Sequence, residues 1–269
     1  MVKIRTSLKW LFIGLILLFI YAPILLLTVY SFNSSNSIRE WTGFSWDHYK
    51  YFFNFDNAPL QIVINTLLIA GIVAVISTLL GTIGAIGIFY SKKRVSSTLA
   101  GVNQIPVINA DIVTAISFAL LATFLGWNDG ESFVPLILGQ TMLCTPFVVL
   151  SVIPKLKQMD GSLYEAALDL GASPTHALFS AVIPQIIPGI VSGFLLAVTL
   201  SLDDYVIAAY TKPENFHTIS THIYGLTKGK QVETIKASYW AFTALVFFII
   251  VIVLLIVNFS GKKKQEMKR

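Results

Sequence analysis

Residues 155–176 read KLKQMDGSLYEAALDLGASPTH. They separate two long apolar runs, 132–154 and 177–202, and they carry signals of their own. Ser162-Leu163-Tyr164-Glu165 has the spacing of a capping box, with serine at the N-cap and glutamate reaching back from N3. Leu163, Ala166, Ala167 and Leu170 follow at i, i+3, i+4 and i+7, which is one face of a short helix. Gly171 stands where a helix ends in a left-handed residue, and Ser173-Pro174 supplies the N-cap and N1 pair of a second helix. The stretch therefore predicts helix, sharp turn, helix. A first helix this short is not stable alone in water. It needs a surface, either the neighbouring apolar helices or a separate protein.

Outward from this loop the chain is nearly free of charge. Of 269 residues, 55% are hydrophobic and 12% charged, about half the charge of a soluble domain. Windows without Asp, Glu, Lys or Arg, one aspartate apart, run 10–38, 57–91, 95–128, 132–154, 177–202 and 237–261. A helix of about 20 apolar residues crosses a hydrocarbon core of roughly 30 Å, and every window reaches that length. The expectation is an all-α integral membrane protein with six transmembrane helices, which excludes a water-soluble enzyme, a nucleic-acid-binding module and a disordered chain. The first window follows Lys3, Arg5 and Lys9 as a signal peptide would, but it is too long and no small-residue cleavage site closes it. It reads as an uncleaved first helix. The single cysteine, Cys144, allows neither an intrachain disulfide nor a cysteine-based metal site.

Positive charge orients the helices. With the N-terminus inside and six crossings, the C-terminus is inside too. The inner segments then hold 13 basic and 4 acidic residues, the outer ones 6 and 9. The net charge of +5 thus resolves into an inner face of +9, an outer face of −3 and Asp111 between them. The organisation expected is a first helix with an aromatic outer loop (1–57), a transmembrane domain (58–261) with its distinctive loop at 155–184, and a basic cytoplasmic tail (262–269). Window 95–128 is too long for one crossing, at about 50 Å for a straight helix. Pro106 and Asn109-Ala110-Asp111 mark a break, with Asp111 expected as the N-cap of a second piece. An acid at that depth can equally mark a substrate or ion route.

Glu165-Ala166-Ala167, three residues, Gly171, nine residues, then Ala181-Val182-Ile183-Pro184 resembles the EAA signature of ABC importer permeases. The signature ends in Ile-x-Leu-Pro; here Ala181 and Ile183 take the places of Ile and Leu, both still apolar, and Pro184 is kept. The resemblance implies a type I ABC permease fold in the cell membrane of a prokaryote. It also implies that Glu165, Ala166, Ala167, Gly171 and Pro184 belong to a coupling helix seated in a separate ATPase, with ATP and Mg bound by that partner and no cofactor in this chain. An ATPase dimer, a similar second permease and an extracytoplasmic binding protein would complete the complex. Ser31-Phe32-Asn33-Ser34-Ser35, Trp41-Thr42-Gly43-Phe44 and Ser201-Leu202-Asp203-Asp204 further resemble the permeases of spermidine/putrescine importers, which implies a polyamine cargo.

Asp203 and Asp204 stand near the outer end of the fifth crossing, about 30 Å above Pro184. They could attract a di- or polycation, or be solvated helix-end charges paired with Lys212. Tyr205, Tyr210 and Trp127 could add cation–π contacts, although aromatics near interfaces usually anchor to lipid. Residues 39–56 are too aromatic for a free loop and suit the membrane interface or a docked receptor. The outer stretch 203–236 is expected to fold partly back towards the entrance.

No other motif competes. Residues 225–231 lack the spacing and hydroxyl of a phosphate loop, and Gly81, Gly84 and Gly87 are wrongly spaced for a dinucleotide fingerprint. Those glycines, like Gly189 and Gly193, suit close helix packing instead. His48, His176, His217 and His222 have no ligand spacing, and HExxH and GxSxG are absent. Two alternatives stay open at this point: the same permease class with another cargo, and a self-contained secondary transporter.

Overall fold

A computed structural model describes residues 2–35, 40–54, 58–127, 130–228, 239–245 and 247–248. Most of the sixth window and the basic tail 262–269 lie outside the described residues. Regular structure among the described residues is helical, with one isolated bridge between Asn33 and Phe44. The helices are α1 (Val2–Tyr30), α2 (Asp47–Phe53), α3 (Ala58–Tyr90), α4 (Lys93–Ile108), α5 (Asp111–Phe124), α6 (Val134–Gln158), α7 (Ser162–Asp169), α8 (Pro174–Ala177), α9 (Ile183–Asp203), α10 (Val206–Thr211) and α11 (Ile219–Lys228). A π-helical turn, Leu178–Val182, joins α8 to α9. Four helical stretches are long and apolar enough to cross a membrane: 12–30, 59–90, 134–158 and 174–203. The pair α4 and α5 forms a fifth candidate, bent by 101° at the break.

That break falls where Pro106 and residues 109–111 foretold it, but its chemistry differs. Ala110 is the extended residue before α5 (φ −65°, ψ 129°) and no side chain caps the helix. Asp111 is the first helical residue, one position too late to be the N-cap. It still sits favourably at the positive end of the helix. Asn109 uses its side-chain amide on Thr114 Oγ1 at 2.9 Å.

The chain divides into two units, residues 62–225 and residues 1–61 with 226–269. The larger unit is organised on the pairing of α6 with α9. Lipid gives packed helices no hydrophobic reward, so close backbone approach through small residues holds them together. A Cβ on Gly189 would lie 2.8 Å from Lys155 Cγ and 3.1 Å from the Ser151 carbonyl oxygen; one on Gly193 would lie 3.0 Å from Val148 Cγ1. From the other side α3 meets the same valine, where a Cβ on Gly81 would lie 2.6 Å from Val148 Cβ. Val148 is thus held between two glycines. Val73, Leu136, Val152, Leu156, Val182 and Ile186 are fully buried around it.

In the smaller unit, two segments singled out by resemblance meet each other. Asn33, wholly buried, donates to the Glu40 carbonyl (2.7 Å) and accepts from the Thr42 backbone N–H (3.0 Å). Ser34 N donates to Gly43 O, and Ser45 N to Phe32 O. Phe32 stacks on Phe44 (5.5 Å) and packs against Trp46 and Tyr49, while Tyr49 Oη and Ser31 Oγ lie 2.8 Å apart. The aromatic loop is therefore tied to the end of α1, with Tyr49 and Phe52 buried and Trp41, Phe44, Trp46, Tyr51 and Phe53 left exposed.

The glycine contacts make a test. Gly81→Ala, in tight contact, should lower the thermal midpoint of the detergent-solubilised protein, since overpacking costs about 1–3 kcal/mol. Gly87→Ala, with no atom within 4 Å of the new Cβ, should leave it unchanged or raise it. Equal effects at the two positions would contradict the packing described.

Candidate functional site

The loop at 155–176 folds as helix, turn, helix, and its second half follows the sequence signals closely. Leu170 ends α7, and Gly171 adopts φ +85°. Gly171 N–H donates to Leu168 O (2.9 Å) and Ala172 N–H to Ala167 O (3.0 Å), the paired bonds of a Schellman turn. Ser173 Oγ accepts from His176 N–H at 3.3 Å and Pro174 opens α8. Beyond it, Pro184 has no N–H for the carbonyl one turn back, and the chain widens into the π turn just before it.

The first half differs from expectation. Ser162 is the first residue of α7, and the expected capping box does not form. Asp160 does the work instead: its Oδ1 accepts from Ser162 N–H (3.0 Å) and Ser162 Oγ–H (2.7 Å). A charged acceptor forms the stronger bond. These hydrogen bonds, the Ser162 hydroxyl foremost, hold the Asp160 carboxyl below the ordinary carboxylate range. The Glu165 side chain is exposed and makes no hydrogen bond or ion pair among the described residues.

The apolar face named for α7 is mostly not the side that packs on this chain. Tyr164, Ala167 and Leu168 are the half-buried residues, and the Tyr164 ring lies 5.5 Å from that of Tyr90. Gln185 Oε1 accepts from Asp160 N–H (3.3 Å), tying the loop to α9. Leu163 and Leu170 are left 48% and 89% exposed, and Phe179 nearby 68%. Helix α7 thus rests on its own protein through one side and presents Leu163, Glu165, Ala166 and Leu170 on the other.

At the far end of α9 the three sequence-selected acids come together. Asp203 is the last residue of α9 and exposed; Asp204 follows in extended conformation and is buried (9% exposed). The change of backbone at that point sends the adjacent carboxylates in different directions. Asp204 Oδ1 accepts from Ile207 N–H (3.0 Å), and Oδ2 from Ala208 N–H (3.0 Å) and Gln140 Nε2 (2.9 Å). Helix α5 packs on α10, and exposed Asp111 at its start acts electrostatically on Asp204. Lys212 does not neutralise the group; its Nζ donates to the backbone carbonyls of Pro213 (3.3 Å) and Glu214 (3.5 Å).

Gln140 and Ser201 were not foreseen. Ser201 Oγ donates to Gln140 Oε1 at 2.7 Å, which orients the amide. Gln140 is the only glutamine in its apolar window, and a strong polar group at membrane depth is costly without partners. The stretch after Asp204 does fold back. Ile219 N–H donates to Thr66 Oγ1 (2.9 Å), Ser220 Oγ to Leu202 O (3.1 Å), and the rings of Tyr205 and Tyr224 lie 4.0 Å apart. No group of three or more His, Cys, Asp and Glu among the described residues is placed to hold a metal.

The chain as a whole is similar to known proteins. The chain is 38% identical over 197 residues to the putrescine transport system permease protein PotI of Escherichia coli, covering 71% of this chain and 70% of that protein. It is 33% identical over 224 residues to the spermidine/putrescine transport system permease protein PotC of Haemophilus influenzae, covering 83% and 86%. In structure it resembles a chain of a bacterial ABC transporter involved in the import of the acidic polysaccharide alginate. The TM-score is 0.66 at 17% identity, covering 97% of this chain and 96% of that one. Residues 77–265 match the family of binding-protein-dependent transport system inner membrane components, and the chain belongs to that family of multi-pass membrane transport subunits.

Proposed function

We propose that this chain is one permease subunit of a type I ATP-driven importer for polyamines of the spermidine/putrescine kind. The observation that carries the cargo assignment is the similarity to putrescine and spermidine/putrescine permeases over most of the chain, joined to three carboxylates, Asp111, Asp203 and Asp204, that form no ion pair with Lys or Arg among the described residues. A di- or polycation is the chemical complement of such a group. Asp111 and Asp203 are exposed to it, and all three acids contribute to the field. An acidic polysaccharide, the cargo named for the structural relative, would meet repulsion there.

The full arrangement proposed has six crossings with both termini cytoplasmic, the first helix and aromatic loop (1–57) preceding the transmembrane domain (58–261), and a basic tail (262–269). The loop 155–184 then faces the cytoplasm. Its exposed row of Leu163, Glu165, Ala166 and Leu170 suits the groove of an ATPase, which would bind the ATP and Mg. Ala166 keeps that side slim enough to enter, Ala167 lets the opposite side lie close on its own protein, Gly171 fixes the turn after it, and Pro184 sets the start of α9. A second permease would complete the path and an extracytoplasmic binding protein would deliver the cargo. Transport would proceed by alternating access as the ATPase pair closes and reopens.

Two outcomes check this reading. Gly171→Val places a β-branched residue at φ +85°, a strain of about 1–3 kcal/mol. Substrate-stimulated ATP hydrolysis by the assembled complex should fall sharply, while the subunit still reaches the membrane; unchanged stimulation and uptake would refute the coupling role. Asp203→Asn should raise the KM for spermidine or putrescine uptake by roughly tenfold, equivalent to about 1.4 kcal/mol of lost attraction. Normal uptake kinetics in Asp203→Asn and Asp111→Asn alike would remove the carboxylates from the path.

A further inference from the structure

Asp204 differs from its two acidic neighbours in every physical respect. It is buried, its two oxygens accept three hydrogen bonds, and none of the three donors belongs to helix α9, which ends just before it. Two come from the first turn of α10, whose backbone N–H groups would otherwise be unsatisfied. The third comes from Gln140 on α6, itself wholly buried and held in one orientation by the Ser201 hydroxyl of α9. Four groups thus form one continuous run of hydrogen bonds, from Ser201 of α9 through Gln140 of α6 and Asp204 to the first turn of α10. In a low-dielectric setting such a network is rigid when complete and disruptive when broken. Three of the four acceptor positions of the Asp204 carboxylate are thus occupied by the protein itself.

We propose that Asp204 is a positioning residue: with Gln140 and Ser201 it latches the start of α10 to α6, and through that latch sets where Asp203 presents its carboxylate. The consequence for cargo rests on the import reading above, whereas the latch itself does not. Four features support it. The carboxylate bonds two successive N–H groups of α10. The residue immediately before it is the exposed acid. Ile207, Ala208 and Thr211 of α10 are buried, so the helix has a defined seat. Finally, Gly139, next to Gln140, is the point of closest approach to Ile207, where a Cβ would lie 2.7 Å from Ile207 Cγ2. Backbone approach and side-chain circuit therefore fix the same junction.

The test uses the intact transporter and a reporter that does not depend on cargo. Because Cys144 is buried, a cysteine introduced by Tyr210→Cys on the exposed side of α10 is the thiol that an impermeant maleimide reaches. Asp204→Asn turns an amide donor towards donors, and Gln140→Glu turns a carboxylate towards a carboxylate. Each alone should change the labelling rate at position 210 by about threefold or more. Together they restore one donor to one acceptor across the junction, so the double variant should recover at least about half of the change, the non-additivity of groups in one network. Uptake measured without the reporter should follow the same pattern, in KM as well as Vmax. If a single variant fails to accumulate in the membrane, recovery of its yield in the double variant supports the latch and no recovery overturns it. A double variant no better than Asp204→Asn, or Asp204→Asn that raises KM while leaving labelling unchanged, would overturn the proposal and make Asp204 a cargo contact. Loss of polyamine uptake by the unmodified complex would refute the cargo assignment alone, because the labelling experiment stands without it.

Discussion

The approach of α9 to α6 through Gly189 and Gly193 is the contact on which the rest of the larger unit depends. It brings Val148 against Gly193 in the middle, Ser201 against Gln140 at one end and Gln185 beneath the loop at the other. A side chain at either glycine would push the helices apart and weaken both ends together. From Pro174 to Asp203 the helical column is 30 residues long, about 45 Å at 1.5 Å per residue. One element therefore begins at the exposed helix α7 and ends at the carboxylate junction. The two candidate sites are joined by continuous backbone, interrupted only by the π turn and by Pro184 and Pro188.

The strongest polar groups inside the larger unit have identifiable places, whereas the buried hydroxyls of Ser77, Thr78, Thr82 and Thr141 have no hydrogen-bond partner among the described residues. Gln140, Ser201 and Asp204 satisfy one another and the first turn of α10. Thr66 accepts the backbone of α11. Asp111 and Asp203 are the exceptions, exposed acids beside the junction. Neither forms an ion pair with Lys or Arg among the described residues, and acids at such positions tend to mark a substrate or ion route.

Much of the fold was legible in the sequence because membrane insertion leaves a coarse signal, long runs without charge. Five windows became helical stretches and the sixth lies mostly outside the described residues. The bend near Pro106 was legible too, as were the left-handed Gly171 and the Ser173-Pro174 start, since each depends on a residue type with a specific backbone preference. The errors concern choices among equivalent hydrogen-bond acceptors. Ser162 and Asp111 both looked like N-caps. Asp160, two residues earlier and charged, outcompeted the first, and the second entered the helix because Ala110 made the turn. The orientation of α7 was not legible because Ala166 and Ala167 are small enough to stand on either side, while Tyr164, with a ring partner in Tyr90, fixed the rotation. Gln140 was missed because its partners are 61 and 64 residues away in the chain. Its isolation in an apolar run was the only available sign.

The central claim is that the outward side of α7 meets an ATPase. The most direct test is a cysteine at Leu170→Cys, in a chain whose native thiol is buried, probed with a short bismaleimide in the assembled transporter. The account predicts a cross-link to the ATPase subunit and protection from soluble maleimide on assembly. Equal labelling with and without the ATPase, and no cross-linked product, would contradict it.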